Sequence, residues 1–188
     1  MTERIVLASG SPRRKQLLEW AEVDFEVIVA DTPETYPAGL PVGLVPVHIA
    51  RNKALAVKRR LSSDRIVLAA DTVVVLDGDI IGKPRDREDA IRILTRLAGN
   101  QHEVITGVIL SKGEEEIAFA DSTAVYFHPL TKEQIEGYVD RYKPYDKAGA
   151  YAIQEWIGVV GIKGIEGDFY NVMGLPVSRV VQELEQLA

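Results

Sequence analysis

Nine apolar residues in the stretch 66–76, Ile66-Val67-Leu68-Ala69-Ala70 and Val73-Val74-Val75-Leu76, flank one polar pair, Asp71-Thr72. A run of this length, rich in β-branched side chains, is the pattern of a buried strand. It falls far short of the ~20 residues a membrane span needs. A buried strand needs cover on both faces, so the chain must place other elements above and below it. A carboxylate inside such a run is costly to bury unless it is paired, hydrogen-bonded or bound to a metal. Asp71 therefore reads either as a general base or metal ligand, or as an aspartate held by local amides.

The remaining elements alternate. Ile5-Val6-Leu7-Ala8 is a second buried strand, followed by Ser9-Gly10-Ser11-Pro12, with Ser11 placed to N-cap a helix and Pro12 at its first position. Phe25–Val29 reads as a strand, and the Pro- and Gly-rich stretch 30–43 as a long loop of the functional or mobile kind. A helix is expected from Val45 to Leu61. A turn at Asp77-Gly78 leads to Ile80-Ile81, and a helix opens at Asp86 and stops at Gly99. A hairpin runs from Glu103–Ser111 to Glu116–Phe127. Thr131-Lys132-Glu133-Gln134 forms a capping box for a helix through Tyr142. Strands are expected near Ile157–Lys163 and a last helix from Pro176 to Leu187. This order specifies an α/β fold with a mixed sheet, and its hairpin-rich middle has the makings of a second lobe.

Composition narrows the function classes. The chain has 188 residues, the size of one domain, and 46% of them are hydrophobic. There is no cysteine, so disulfides, thiolate metal sites and a cysteine nucleophile are excluded. The 22 cations and 28 anions give a charge of −6, which argues against stable nucleic-acid binding but leaves room for a small polyanion held by a few local cations. The opening Met1-Thr2-Glu3-Arg4 carries no secretory apolar stretch, so a soluble, cytoplasmic protein without membrane attachment is expected.

Arg13-Arg14-Lys15 is electrostatically odd. Three cations occupy the first turn of a helix, where the macrodipole is already positive. With Ser9 and the turn before it, they outline an anion site at a helix N-terminus, or else a solvated basic turn. The turn is no Walker A loop, since it lacks the second glycine and the Lys-Ser/Thr pair. Lys53, Lys83 and Glu34 are unremarkable taken singly. Asp146–Gln154 combines small residues, a tyrosine and a terminal amide able to read a base edge. His48, His102 and His128 have no metal-ligand spacing and read as surface or helix-face residues, while Trp20 and Trp156 read as packing residues. On these residues alone the chain is an α/β protein for a phosphorylated small molecule, with Asp71 as candidate base.

Five motifs in fixed order carry a resemblance: Leu7-Ala8-Ser9-Gly10-Ser11-Pro12-Arg13-Arg14, Ala70-Asp71-Thr72, Gly82-Lys83-Pro84, Asp146–Gln154 and Gly174-Leu175-Pro176. Together they resemble the Maf family of nucleoside triphosphate pyrophosphatases, over about residues 4–184. The resemblance implies one domain over residues 1–188, an elongated mixed β-sheet with flanking helices and a central nucleotide cleft, similar to the inosine triphosphate pyrophosphatases. It implies hydrolysis between the α and β phosphates with magnesium or manganese, and a homodimer. Carried over, Asp71 matches the proton acceptor, and Ser9, Arg14, Lys53 and Lys83 the phosphate-binding set. Glu34, with Asp71, matches the metal-holding acids. Arg13, Thr72 and Gln154 match the residues that mark the dTTP/UTP branch. The 7-methyl-GTP branch has Trp after the proline and Gln after the aspartate. Glu155-Trp156 departs from the pattern, which has glycine after the glutamine, and is expected to reshape the base pocket. Two other readings compete. A sugar nucleotidyltransferase is disfavoured by the missing second glycine, and a non-enzymatic septum-inhibition protein rests on family association alone.

Overall fold

The computed structural model describes residues 4–187, so residues 1–3 of the expected strand lead-in lie outside the described range. In chain order the elements are β1 (Ile5–Leu7), α1 (Pro12–Trp20), β2 (Phe25–Val27), α2 (Val45–Lys58), β3 (Val67–Leu76), β4 (Asp79–Ile81), α3 (Arg87–Leu97), β5 (Gln101–Lys112), β6 (Glu115–Phe127), α4 (Lys132–Tyr142), α5 (Trp156–Gly161), β7 (Ile162–Glu166), α6 (Phe169–Met173) and α7 (Val177–Leu187). Among the described residues the strands form one seven-stranded sheet in the order β2-β1-β3-β5-β6-β7, with β4 on β3. Parallel and antiparallel pairs both occur, so this is a mixed α/β sheet with helices, as the element order predicts.

The chain divides into two compact units. The first takes in the chain through Thr72, Thr106–Asp121 and the chain from Gly174 onward. Here β1 pairs in parallel with β2 (Ile5↔Phe25) and with β3 (Val6↔Val67, Leu7↔Leu68). A core of Val6, Ala8, Val47, Ala50, Ala54, Val57, Val67, Ala69 and Ile109 joins these strands to α2. Small side chains in that list let the helix approach closely, and Gly107 takes this to the limit. A Cβ there would stand 2.2 Å from the Val47 nitrogen, so only glycine fits under the first turn of α2. α1 begins as expected: the Ser11 hydroxyl accepts from the Arg14 backbone N–H at 3.5 Å, with Pro12 at the helix start. Trp20 lies 58% exposed at its end, against the expectation of a packing residue.

The second unit comprises Val73–Ile105 and Ser122–Met173. Its hairpin joins the end of β3 to β4, with Val74 opposite Ile81, and both turn residues, Asp77 and Gly78, have positive φ. β6 pairs antiparallel with β7, Ala124 opposite Glu166, with an irregularity at Tyr126/Phe127. α3 is capped by Asp86, whose side chain accepts from the Asp89 N–H at 2.8 Å, and Gly99 follows its end at φ 73°. α4 carries the full capping box between Thr131 and Gln134, ends on Lys143 in the left-handed region, and packs against α3.

Two further local expectations fail. The strand expected from Ile157 begins only at Ile162, and 157–161 is helical. Gly158 explains it: a Cβ there would lie 1.6 Å from the Ile153 carbonyl oxygen, so glycine lets the chain turn against its own preceding segment. His102 is not a surface residue but is 2% exposed on β5, stacked on Phe127, with Nε2 2.8 Å from the Tyr151 hydroxyl. Its Nδ1 is buried without a protein partner, and burial lowers the imidazole from its ordinary 6.5 to about 4.

Candidate active site

In the first unit, two chains of contacts converge on the polar pair in the middle of β3. Neighbouring residues of a strand project to opposite faces, and Asp71 and Thr72 bond to different partners. Asp71, 9% exposed, accepts from the Lys53 ammonium at 2.7 Å. The same ammonium reaches Glu34 at 2.9 Å, so one cation from α2 joins the strand carboxylate to the acid of the long loop. This settles how a carboxylate persists inside an apolar strand: it is ion-paired. The loop acid, which no local pattern distinguishes, is drawn to the site by that lysine.

Thr72 stands at the head of the other chain. Its hydroxyl lies 2.9 Å from that of Thr106 on β5 and accepts from Arg14 Nη2 at 2.9 Å. Arg14 is 8% exposed, and each of its three side-chain nitrogens is engaged: Nε donates to the Gly174 carbonyl at 2.7 Å, Nη1 to Ser9 Oγ at 3.1 Å, and Nη2 to Thr72. Ser9 Oγ also accepts the Ser11 N–H at 3.3 Å, which fixes the turn before α1. Burial pushes the Arg14 guanidinium below its ordinary value, Asp71 and Glu34 oppose that shift, and Arg13 adds to it. One residue thus ties the Ser-Pro-Arg-Arg turn, the Asp-Thr pair and Gly174-Leu175-Pro176 into a single construction. Gly174 holds φ 121°, a conformation that favours glycine and aims its carbonyl at Arg14.

Ser9, Arg14, Glu34, Lys53, Asp71 and Thr72 are therefore brought together within one unit by side-chain contacts, and Arg13, half-buried, adjoins them on α1. Lys15, the third cation of the turn, instead makes an ion pair with Glu19 at 3.8 Å. Lys83 and Gln154 belong to the second unit. There the Gly149 N–H donates to the Gly82 carbonyl at 3.2 Å, which joins the Lys83 turn to the Asp146–Gln154 segment. Gln154 is exposed, directly after buried Tyr151-Ala152-Ile153. Two contributors escape sequence reasoning. Thr106 is fully buried in an apolar strand, where a lone hydroxyl was the only signal. The Gly174 carbonyl is backbone, and the Gly174-Leu175-Pro176 motif marks its position but not its contact with Arg14.

The donor chemistry suits a hard divalent cation. Two carboxylates, Glu34 and Asp71, meet at one positive charge, as oxygen ligands for magnesium or manganese must. Among the described residues no group of three His, Asp or Glu side chains could hold a metal alone. A protein share of two carboxylates, completed by phosphate oxygens and water, is the usual arrangement for magnesium in phosphate chemistry.

The fold and the joined motifs define a class, and the chain belongs to the Maf family: the model of Maf-like proteins matches residues 4–187. A relative from Cytophaga hutchinsonii named dTTP/UTP pyrophosphatase is 51% identical over 183 residues, covering 97% of this chain and 84% of that protein. Relatives of the same name from Porphyromonas gingivalis and Bacteroides thetaiotaomicron are 49% and 45% identical, covering 97% and 98% of this chain and 93% and 96% of theirs. Among solved structures, the Ham1 protein of Staphylococcus aureus aligns with a TM-score of 0.48 at 19% identity, over 66% of this chain and 72% of that one. Among the described residues no helix is long and apolar enough to cross a membrane.

Proposed function

We propose that the chain is a nucleoside triphosphate pyrophosphatase acting on dTTP and UTP, in a single Maf-like domain in the cytoplasm. The observation that carries this reading is the Arg14 junction, which binds the turn, the Asp71-Thr72 pair and Gly174 into one polar site. Near-half identity to relatives of that name, over almost the whole chain, supports the choice of substrate.

Water adds to the α-phosphorus, and the bond from that phosphorus to the α–β bridging oxygen breaks. The electron pair leaves on pyrophosphate, and the products are nucleoside monophosphate and pyrophosphate. Asp71 takes the proton of the attacking water, a role open to a carboxylate fixed by an ion pair on a rigid strand. Lys53 orients that carboxylate and holds Glu34 beside it. Ser9, Arg14, Lys53 and Lys83 bind phosphate oxygens and offset the charge that develops on the leaving group. Arg13, Thr72 and Gln154 select the pyrimidine nucleotide. Glu34 and Asp71 would hold the divalent cation, which when bound screens phosphate charge and orients the reacting oxygens.

A nucleotide panel tests this reading. Purified protein with magnesium or manganese should convert dTTP and UTP to monophosphate and pyrophosphate, leaving CTP, GTP, ATP and 7-methyl-GTP largely intact. Turnover of 7-methyl-GTP alone would reassign the branch. Intact triphosphates throughout would sink the activity and favour a binding role. The expected homodimer is read in the same preparation by sedimentation.

A further inference from the structure

Glu155, which departs from the family pattern, is tied to the scaffold. Its carboxylate Oε2 accepts from the Tyr138 hydroxyl at 2.5 Å, and Oε1 lies 3.7 Å from the Lys147 ammonium. Tyr138, on α4, is 1% exposed, and its hydroxyl also accepts the Ala152 backbone N–H at 3.3 Å. The Glu155 N–H donates to the Ala152 carbonyl at 3.1 Å, so Ala152-Ile153-Gln154-Glu155 is a closed four-residue turn with Gln154 third. One phenol thus grips both ends of the turn that presents Gln154. Its ring stacks with Tyr142, centroids 4.9 Å apart, and with Trp156, at 6.5 Å. The phenol has one hydrogen to donate and lone pairs to accept, and both capacities are used.

We propose that Tyr138 and Glu155 are positioning residues for Gln154, and that this clamp sets the base selectivity of the site. The inference rests on the reading of Gln154 as the residue that meets the base. An amide reads a base edge only if donor and acceptor are held in register, and an exposed glutamine on a loose turn would spend that register on rotamer freedom. The clamp removes backbone freedom on both sides of Gln154 while leaving its side chain open. Glu155 in place of glycine is then a gain of rigidity, not a reshaping of the pocket by bulk.

The test compares wild type with Tyr138→Phe, Glu155→Gly, Glu155→Gln and Gln154→Ala on UTP and GTP, with melting temperatures as a fold control. Tyr138→Phe and Glu155→Gly should each raise KM for UTP about tenfold, leave kcat within about twofold, and contract the UTP/GTP ratio of kcat/KM about tenfold. Glu155→Gln, which keeps an oxygen acceptor for the phenol, should stay within about twofold of wild type. Combining Tyr138→Phe with Gln154→Ala should add little to Gln154→Ala alone, because both remove one function. Unchanged KM and selectivity in Tyr138→Phe and Glu155→Gly would overturn the proposal with the pyrophosphatase reading intact. Equal loss of kcat on both nucleotides with a lowered melting temperature would also overturn it, since the contacts would then serve the fold alone. A wild type inactive on every triphosphate would remove the activity itself, and the proposal with it.

Discussion

Arg14 shows how much one side chain can hold. Its guanidinium satisfies a backbone carbonyl 160 positions away, a serine in its own turn and a threonine in the central strand. Lysine offers a single point charge in place of that planar fork, so Arg14→Lys leaves at least one buried acceptor without a donor. Urea unfolding should show a loss of about 2 kcal/mol, with activity reduced further as Thr72 and Ser9 lose their alignment. The role of this arginine was only half legible. Three cations in the first turn of α1 mark it as unusual, but its partners Thr72 and Gly174 lie too far along the chain for any local pattern to reveal. Asp71 was the reverse case. A lone carboxylate in an apolar strand has few physical excuses, and the one found, an ion pair with Lys53, is among those expected.

Among the elements, legibility follows how local the cause is. The caps at Ser11, Asp86 and Thr131 and the stop at Gly99 depend on neighbours within a few residues, and all are where the sequence puts them. α5 depends instead on Gly158 fitting against the Ile153 carbonyl, a contact invisible in a β-branched run that reads as strand. Gly158→Ala should therefore disrupt the turn that presents Gln154, and should lower the melting temperature by several degrees where Gly164→Ala, which meets nothing within 4 Å, changes it little. Thr131→Ala should cost α4 about 1 kcal/mol through loss of its capping box, measured as a shift in the urea midpoint.

For the whole molecule, the sign of the charge and its pairing matter more than its size. Arginines are paired in place, Arg51 with Glu116, Arg87 with Asp140 and Arg179 with Asp121, in a chain of charge −6. The pH response should be dominated by a different residue. His102 is held at about 4 by burial against an unfolded 6.5, so the unfolded chain binds more protons between those values. Stability is then full above pH 6.5 and is lost as pH falls toward 4, by up to about 3 kcal/mol for this group. Urea midpoints measured from pH 7 to pH 4.5 should fall in wild type and flatten in His102→Phe. The burial was readable in principle, since His102 alternates with exposed Gln101 and Glu103 and shares its face with buried Val104.

In the proposed reaction Asp71, fixed by Lys53, drives hydrolysis between the α and β phosphates of a pyrimidine triphosphate. It is tested most directly by following dTTP through wild type and Asp71→Asn side by side, with products separated and dTTP affinity measured on both. Wild type should yield dTMP and pyrophosphate, and Asp71→Asn a rate lower by about 10²–10⁴ with dTTP still bound. Equal rates in the two proteins, or dTDP and phosphate as products, would contradict it.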